Sequence, residues 1–158
     1  MTLTSQIAKH FRDVHFGGNW TSVNLKDTLA DITWEEATTQ LHDLNTIAVL
    51  VFHMNYYVSP VLKVLQGGPL VASDKLSFDV PVITTAEEWK ELVNKALAEA
   101  EQLAVAIAAL GETKLDKDFA DPKYGNYYRN LTGLIEHTHY HLGQITIIKK
   151  MIRANVVK

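Results

Sequence analysis

The chain has 158 residues, of which 47% are hydrophobic and 21% charged, and its formal charge is -3. This length suits one domain over residues 1–158 with a proper core, and the charge gives no basic field for nucleic acid. The lack of cysteine excludes a disulfide framework and any thiolate nucleophile or ligand.

The first residues, Met1-Thr2-Leu3-Thr4-Ser5-Gln6, lack a charged segment followed by an apolar one, so a cytoplasmic address is expected. Leu3, Ile7, Phe11 and Val14 share one stripe at helical spacing and predict a first helix over about 3–15, stopped by Gly17-Gly18. Trp20 to Ile32 reads as a long connection. Thr33-Trp34-Glu35-Glu36 is a capping box, predicted to open a second helix that runs to Leu65 or Gln66. Pro60 is expected to kink that helix. The longest uncharged run, Leu44 to Leu62, contains Asn45, His53, Asn55 and Pro60 and suits a buried helix better than a membrane span.

Residues 67–84 form a second loop, in which Ser77-Phe78-Asp79-Val80 alternates but is too short for a strand. Thr85-Ala86-Glu87-Glu88 is another capping box and opens a third helix ending at Leu110-Gly111. Residues 112–129 make the third connection, and a fourth helix is predicted from about Asn130 to Asn155. Lys149, Lys150, Arg153 and Lys158 fall at its C-terminal end, where cations complement the helix dipole. Four helices with long connecting loops give an all-α bundle.

The chemistry-bearing stretch lies in the fourth helix. His137 and His141 are four residues apart and point the same way, one turn from each other. His139 is roughly 200° around the axis from either and cannot join them. A third imidazole is available from His53, in the apolar middle of the second helix. Alone, His53 would be a core histidine with one satisfied hydrogen bond. With the pair, it completes a three-imidazole site for a divalent metal, which leaves a coordination position open. A bridged di-iron bundle does not fit, because only Glu136-His139 has the required Glu-x-x-His spacing. Gln144, Asn130 and Tyr57 are placed to hydrogen-bond the imidazoles or face a substrate, and are equally suited to packing or capping. Gly133 either leaves room near the metal or allows close helix packing. His10, His15 and His42 read as surface residues or as partners of the ligands. Trp20, Tyr124, Tyr127, Tyr128 and Arg129 suit a pocket rim, with Arg129 either binding substrate or pairing with a carboxylate.

The combination of His53 on the second helix with His137 and His141-Leu142-Gly143-Gln144-Ile145 on the fourth resembles the DinB/YfiT-like superfamily. The resemblance extends to Gly18-Asn19-Trp20 and to Tyr124-Gly125-Asn126-Tyr127-Tyr128-Arg129-Asn130. It implies a four-helix bundle holding one divalent metal ion per chain on His53, His137 and His141: zinc or nickel in the first place, iron or manganese otherwise. It further implies a homodimer and a metal-dependent reaction on a small molecule, either transfer using a low-molecular-weight thiol or hydrolysis. The catalytic group would then be a water or thiol bound to the metal, with Arg129 and Tyr57 as candidates beside it. The alternative is a metal-dependent small-molecule binding or stress-response bundle without turnover.

Overall fold

The computed structural model describes residues 1–156. Its elements are α1 (Leu3–Phe16), α2 (Leu25–Leu29), α3 (Trp34–Thr38), α4 (Ile47–Leu65), α5 (Ala86–Ala108) and α6 (Tyr127–Val156). Short 3₁₀ turns occur at Asp74–Leu76, Glu112–Lys114 and Pro122–Tyr124. Among the described residues there is no strand, only an isolated bridge between Asp118 and Asn126. The fold is all-α.

Side-chain caps start most of these helices. Thr2 Oγ1 accepts from Ser5 N–H at 3.1 Å to open α1, a contact worth about 1 kcal/mol. The Thr85–Glu88 capping box opens α5 with both of its reciprocal bonds. The Thr33–Glu36 box is also present, but the helix it opens, α3, stops at Thr38. The predicted single helix from Thr33 to Leu65 is therefore two helices. Thr38 Oγ1 donates to Trp34 O at 2.9 Å and Thr39 Oγ1 to Glu35 O at 2.6 Å, so hydroxyls compete for the carbonyls that a continuing helix would use. His42 then turns the chain at φ 49. Helix α4 has its own cap, Thr46 Oγ1 accepting from Val49 N–H at 3.2 Å, and runs through Pro60 to Leu65 without interruption. The connection after α1 contains α2, capped by Asn24. Helix α6 begins at Tyr127, earlier than predicted, with Asn126 Oδ1 accepting from Arg129 N–H at 2.9 Å.

The four longer helices close a ring, α1 and α4 each packing on both α5 and α6. The ring holds two apolar clusters along its length. One joins Phe11, Val58, Leu103, Ile107 and Leu131; the other joins Val14, Leu50, Val51, Leu142 and Ile145. Each such buried side chain contributes about 1.5–3 kcal/mol. On α4 the change from one cluster to the other falls between Met54 and Val58, and on α6 between Ile135 and Leu142. The buried polar residues His53, Asn55, Thr138 and His141 lie at this level. Polar side chains thus mark the change of cluster, with His53, Thr138 and His141 on α4 and α6, and Asn55 turned to α5, where its Nδ2 donates to Glu99 at 2.8 Å. Helix α4 is long and apolar enough to cross a membrane by composition, yet most of it is buried within the fold.

The far end of α6 is tied to the α2–α3 segment. Arg153 pairs with Glu36 and Asp31, both at 2.8 Å, and Lys149 Nζ donates to Thr28 O at 2.8 Å while pairing with Asp31. These two cations are therefore engaged in specific tertiary ion pairs as well as lying near the helix end. Lys158, from the same basic group, lies outside the described residues.

Candidate metal centre

Helices α4 and α6 bring His53, His137 and His141 together so that one ring nitrogen of each lies within 4.8 Å of the others. His137 Nε2 stands 3.1 Å from His53 Nε2 and 3.0 Å from His141 Nε2. The His137–His141 spacing follows from one helical turn on α6; His53 reaches them because α4 packs directly on that face. His53 and His141 are buried, and His137 is partly open to solvent.

The outer nitrogens decide what the inner ones can do. His53 Nδ1 lies 3.1 Å from the carbonyl oxygen of Ser77, which can only accept, so Nδ1 carries the proton. His141 Nδ1 lies 2.7 Å from Gln144 Oε1 and donates in the same way. In the neutral rings this leaves Nε2 of both His53 and His141 as bare lone pairs aimed at His137 Nε2. A single N–H on His137 satisfies at most one of them. The cluster therefore has a surplus of acceptors converging on one point. A cation at that point would give all three nitrogens a partner, so the donor set fits a divalent metal.

Electrostatics agree with neutral ligands. Burial lowers the pKa of His137 to about 4, with the neighbouring His141 and His53 adding to the effect. Burial also lowers that of His53, against the raising effect of the Ser77 bond. Tyr57 is pushed up, first by burial, and donates its hydroxyl to Asp74 Oδ1 at 3.0 Å. Its phenol stays protonated at neutral pH. The Tyr57 ring stands edge-on to both His53 and His137, centroids 5.2 Å apart in each case.

The loop after α4 supplies groups that sequence reasoning missed. Phe78 stacks on the His53 ring at 3.9 Å between centroids and 14° between planes, next to the Ser77 carbonyl. Tyr56 holds the same loop by donating its hydroxyl to Ser73 O at 3.0 Å and accepting from Ser73 N–H at 2.9 Å. Ser77-Phe78 was visible only as a short alternating run, and nothing in that pattern points to a histidine 24 residues earlier.

A cleft of about 430 Å³ opens on His53 and His137 and is also lined by Tyr57, Val61, Arg129 and Gly133. A larger cleft of about 550 Å³, between α4, α5 and residues 71–83, touches none of the three histidines.

Several expected site residues lie elsewhere. Asn130 borders the cleft, but its Nδ2 donates to Tyr124 O and Asn126 O, so it braces the connection and bonds to no imidazole. Trp20 is 100% exposed and belongs to no rim. Tyr127 packs on Phe119 in the core, and Tyr124 and Tyr127 border a separate cleft beside Gly67 and Gly68. Tyr128 is exposed. Of that group only Arg129 reaches the histidine cleft. His10 and His42 are exposed. His15 is not a surface residue: it is buried, with Nδ1 donating to Phe11 O at 2.8 Å. Its position four residues after Phe11 on the apolar stripe was the available signal. His139 turns away from the triad, toward His10 at 6.4 Å between ring centroids.

No family model, curated protein or solved structure was found to match the chain.

Proposed function

We propose that the chain is a metal-dependent enzyme of the DinB/YfiT-like kind, with one divalent ion on His53, His137 and His141. Its reaction would be thiol-dependent transfer to, or hydrolysis of, a small molecule. The observation that carries this reading is the convergence of three Nε2 atoms, two of them with protons fixed on the far side by Ser77 O and Gln144 Oε1. A divalent ion held by neutral imidazoles supplies Lewis-acid chemistry and lowers the pKa of a water or thiol bound to it.

The remaining work falls to the chain's own groups. Ser77 and Gln144 hold the tautomers of His53 and His141, and Phe78 covers one face of the His53 ring. His53 and His137 both border the cleft, and His137 is the more exposed, so a substrate would approach from that side. Tyr57, protonated and anchored on Asp74, is suited to orienting a bound molecule and unsuited to acting as a base. That last point favours a second reading, metal-dependent binding without turnover. A homodimer in the cytoplasm belongs to the same proposal, on the strength of the sequence resemblance.

Metal analysis of the purified protein, followed by incubation with a panel of low-molecular-weight thiols and electrophiles, tests both readings. About one divalent ion per chain, lost in His137→Ala and His53→Ala, is expected, with adducts formed only by the loaded protein. Wild-type protein that carries no more metal than His137→Ala would refute the site. Metal without any adduct or hydrolysis product would favour binding without turnover.

A further inference from the structure

The cleft beside His137 runs along α6 toward Arg129, eight residues earlier. At 1.5 Å per residue the two positions are roughly 12 Å apart along the helix axis. Gly133 lies midway, and a Cβ built there would meet nothing within 4 Å. Val61 and Leu134 border the same stretch. The cleft is thus a trough with an apolar middle, His53 and His137 at one end and a guanidinium at the other.

Arg129 is fixed but not used up. Its Nη1 donates to Tyr124 O at 2.8 Å. The side chain lies over Gly125, where φ is 77 and an added Cβ would come within 3.1 Å of Arg129 Cδ. Among the described residues, its Nε and Nη2 have no hydrogen-bond partner and no carboxylate pairs with it. One edge of the guanidinium is therefore oriented by the backbone, and the rest of the fork is open to a ligand. Glu136 is the other charged residue bordering the cleft; it is exposed and likewise takes no ion pair among the described residues.

Resting on the metal reading above, we propose that the molecule taken by this cleft is an elongated monocarboxylate, its carboxylate on Arg129 and its metal-seeking end at His53 and His137. A planar fork with donors on adjacent nitrogens matches a carboxylate with two parallel bonds. The apolar middle suits a hydrocarbon body, since Asn130 already spends its amide N–H groups on Tyr124 O and Asn126 O. One guanidinium neutralises the single charge of a carboxylate, whereas a phosphate dianion would keep a second charge without a partner.

Cobalt(II)-loaded protein titrated with matched thiols tests this, with thiolate-to-cobalt absorption as the readout. The probes are 6-mercaptohexanoate, 6-mercaptohexanol and 6-mercaptohexyl phosphate. The carboxylate is expected to bind about tenfold more tightly than the alcohol and more tightly than the phosphate. Arg129→Gln should abolish the preference and Arg129→Lys should keep part of it, both with cobalt affinity and circular dichroism unchanged. Equal affinity for acid and alcohol in the wild type, a preference that survives Arg129→Gln, or tighter binding of the phosphate overturns the proposal and leaves the metal reading standing. Failure of the wild type to take up cobalt removes both.

Discussion

Replacing Gln144 by leucine isolates the idea that the outer hydrogen bonds prepare the histidines for a metal. Gln144 Oε1 is the acceptor for His141 Nδ1–H at 2.7 Å, and His141 is only 7% exposed. Leucine keeps helix propensity and approximate volume but removes the acceptor. The imidazole proton is then free to move to Nε2, where it blocks ligation. Partners of this kind are worth about 10–100-fold in metal affinity, or about 1.4–2.7 kcal/mol. The burial of His141 puts the expected loss in the upper half of that range. Gln144→Glu should restore affinity, because a carboxylate accepts the same bond more strongly. Competition for zinc against a chromophoric chelator measures the constants, and thermal melts of the metal-free proteins check the fold. An affinity for Gln144→Leu within about twofold of wild type, alongside complete loss in His137→Ala, would show that the tautomer of His141 is not set by this residue.

Phe78→Ala should weaken metal affinity several-fold and lower metal-free stability by about 1 kcal/mol or more, as it removes the ring stacked on His53; chelator competition and denaturant melts read both, and unchanged affinity would make Phe78 a packing residue only. His15 gives a pH signature, because burial lowers its pKa to about 4 from an ordinary 6.5. The unfolded chain binds the extra proton between those values, so stability is full above pH 6.5 and falls as the pH drops toward 4, by on the order of 3 kcal/mol. The His15→Leu protein should show a shallower acid limb in denaturant melts between pH 7 and 4 than the wild type, and superimposable limbs would contradict the assignment. Arg153→Ala should lower Tm modestly and raise amide exchange over residues 25–38 without changing metal affinity, since it loses Asp31 and Glu36 at the far end of α6; unaltered exchange there would show that the ion pairs do not hold the segment.

What the sequence made legible followed from spacing within single elements. The stripe shared by His137 and His141, the two capping boxes and the helix stop at Gly17-Gly18 are all local patterns, and local patterns survive without tertiary knowledge. The break between α3 and α4 was local too, in the Thr38-Thr39 pair and the Thr46 cap, but the Thr33 capping box and the apolar run after it masked it. Loop contacts were the illegible part. Ser77 and Phe78 meet His53 because residues 67–84 fold back over α4, and a loop's path leaves no periodic trace. The aromatic residues of the third connection illustrate the converse. Tyr124 lies in that connection and Tyr127, Tyr128 and Arg129 in the first turn of α6, yet Tyr127 packs on Phe119, Tyr128 is exposed and only Arg129 reaches the histidine cleft.

The three histidines are divided between α4 and α6, with 84 residues separating His53 from His137. Neither α1 nor α5 supplies a member of the triad. An ion bound across that seam would act as a rivet on one long-range contact, absent from the unfolded chain. Under the proposed reading it stabilises the native state by about 2.7 kcal/mol when free metal exceeds its dissociation constant a hundredfold. Proteolytic survival would then track metal supply, since a protease acts on the opened population. The amount of this protein in a cell would become a gauge of the metal available to it, independently of any reaction it performs.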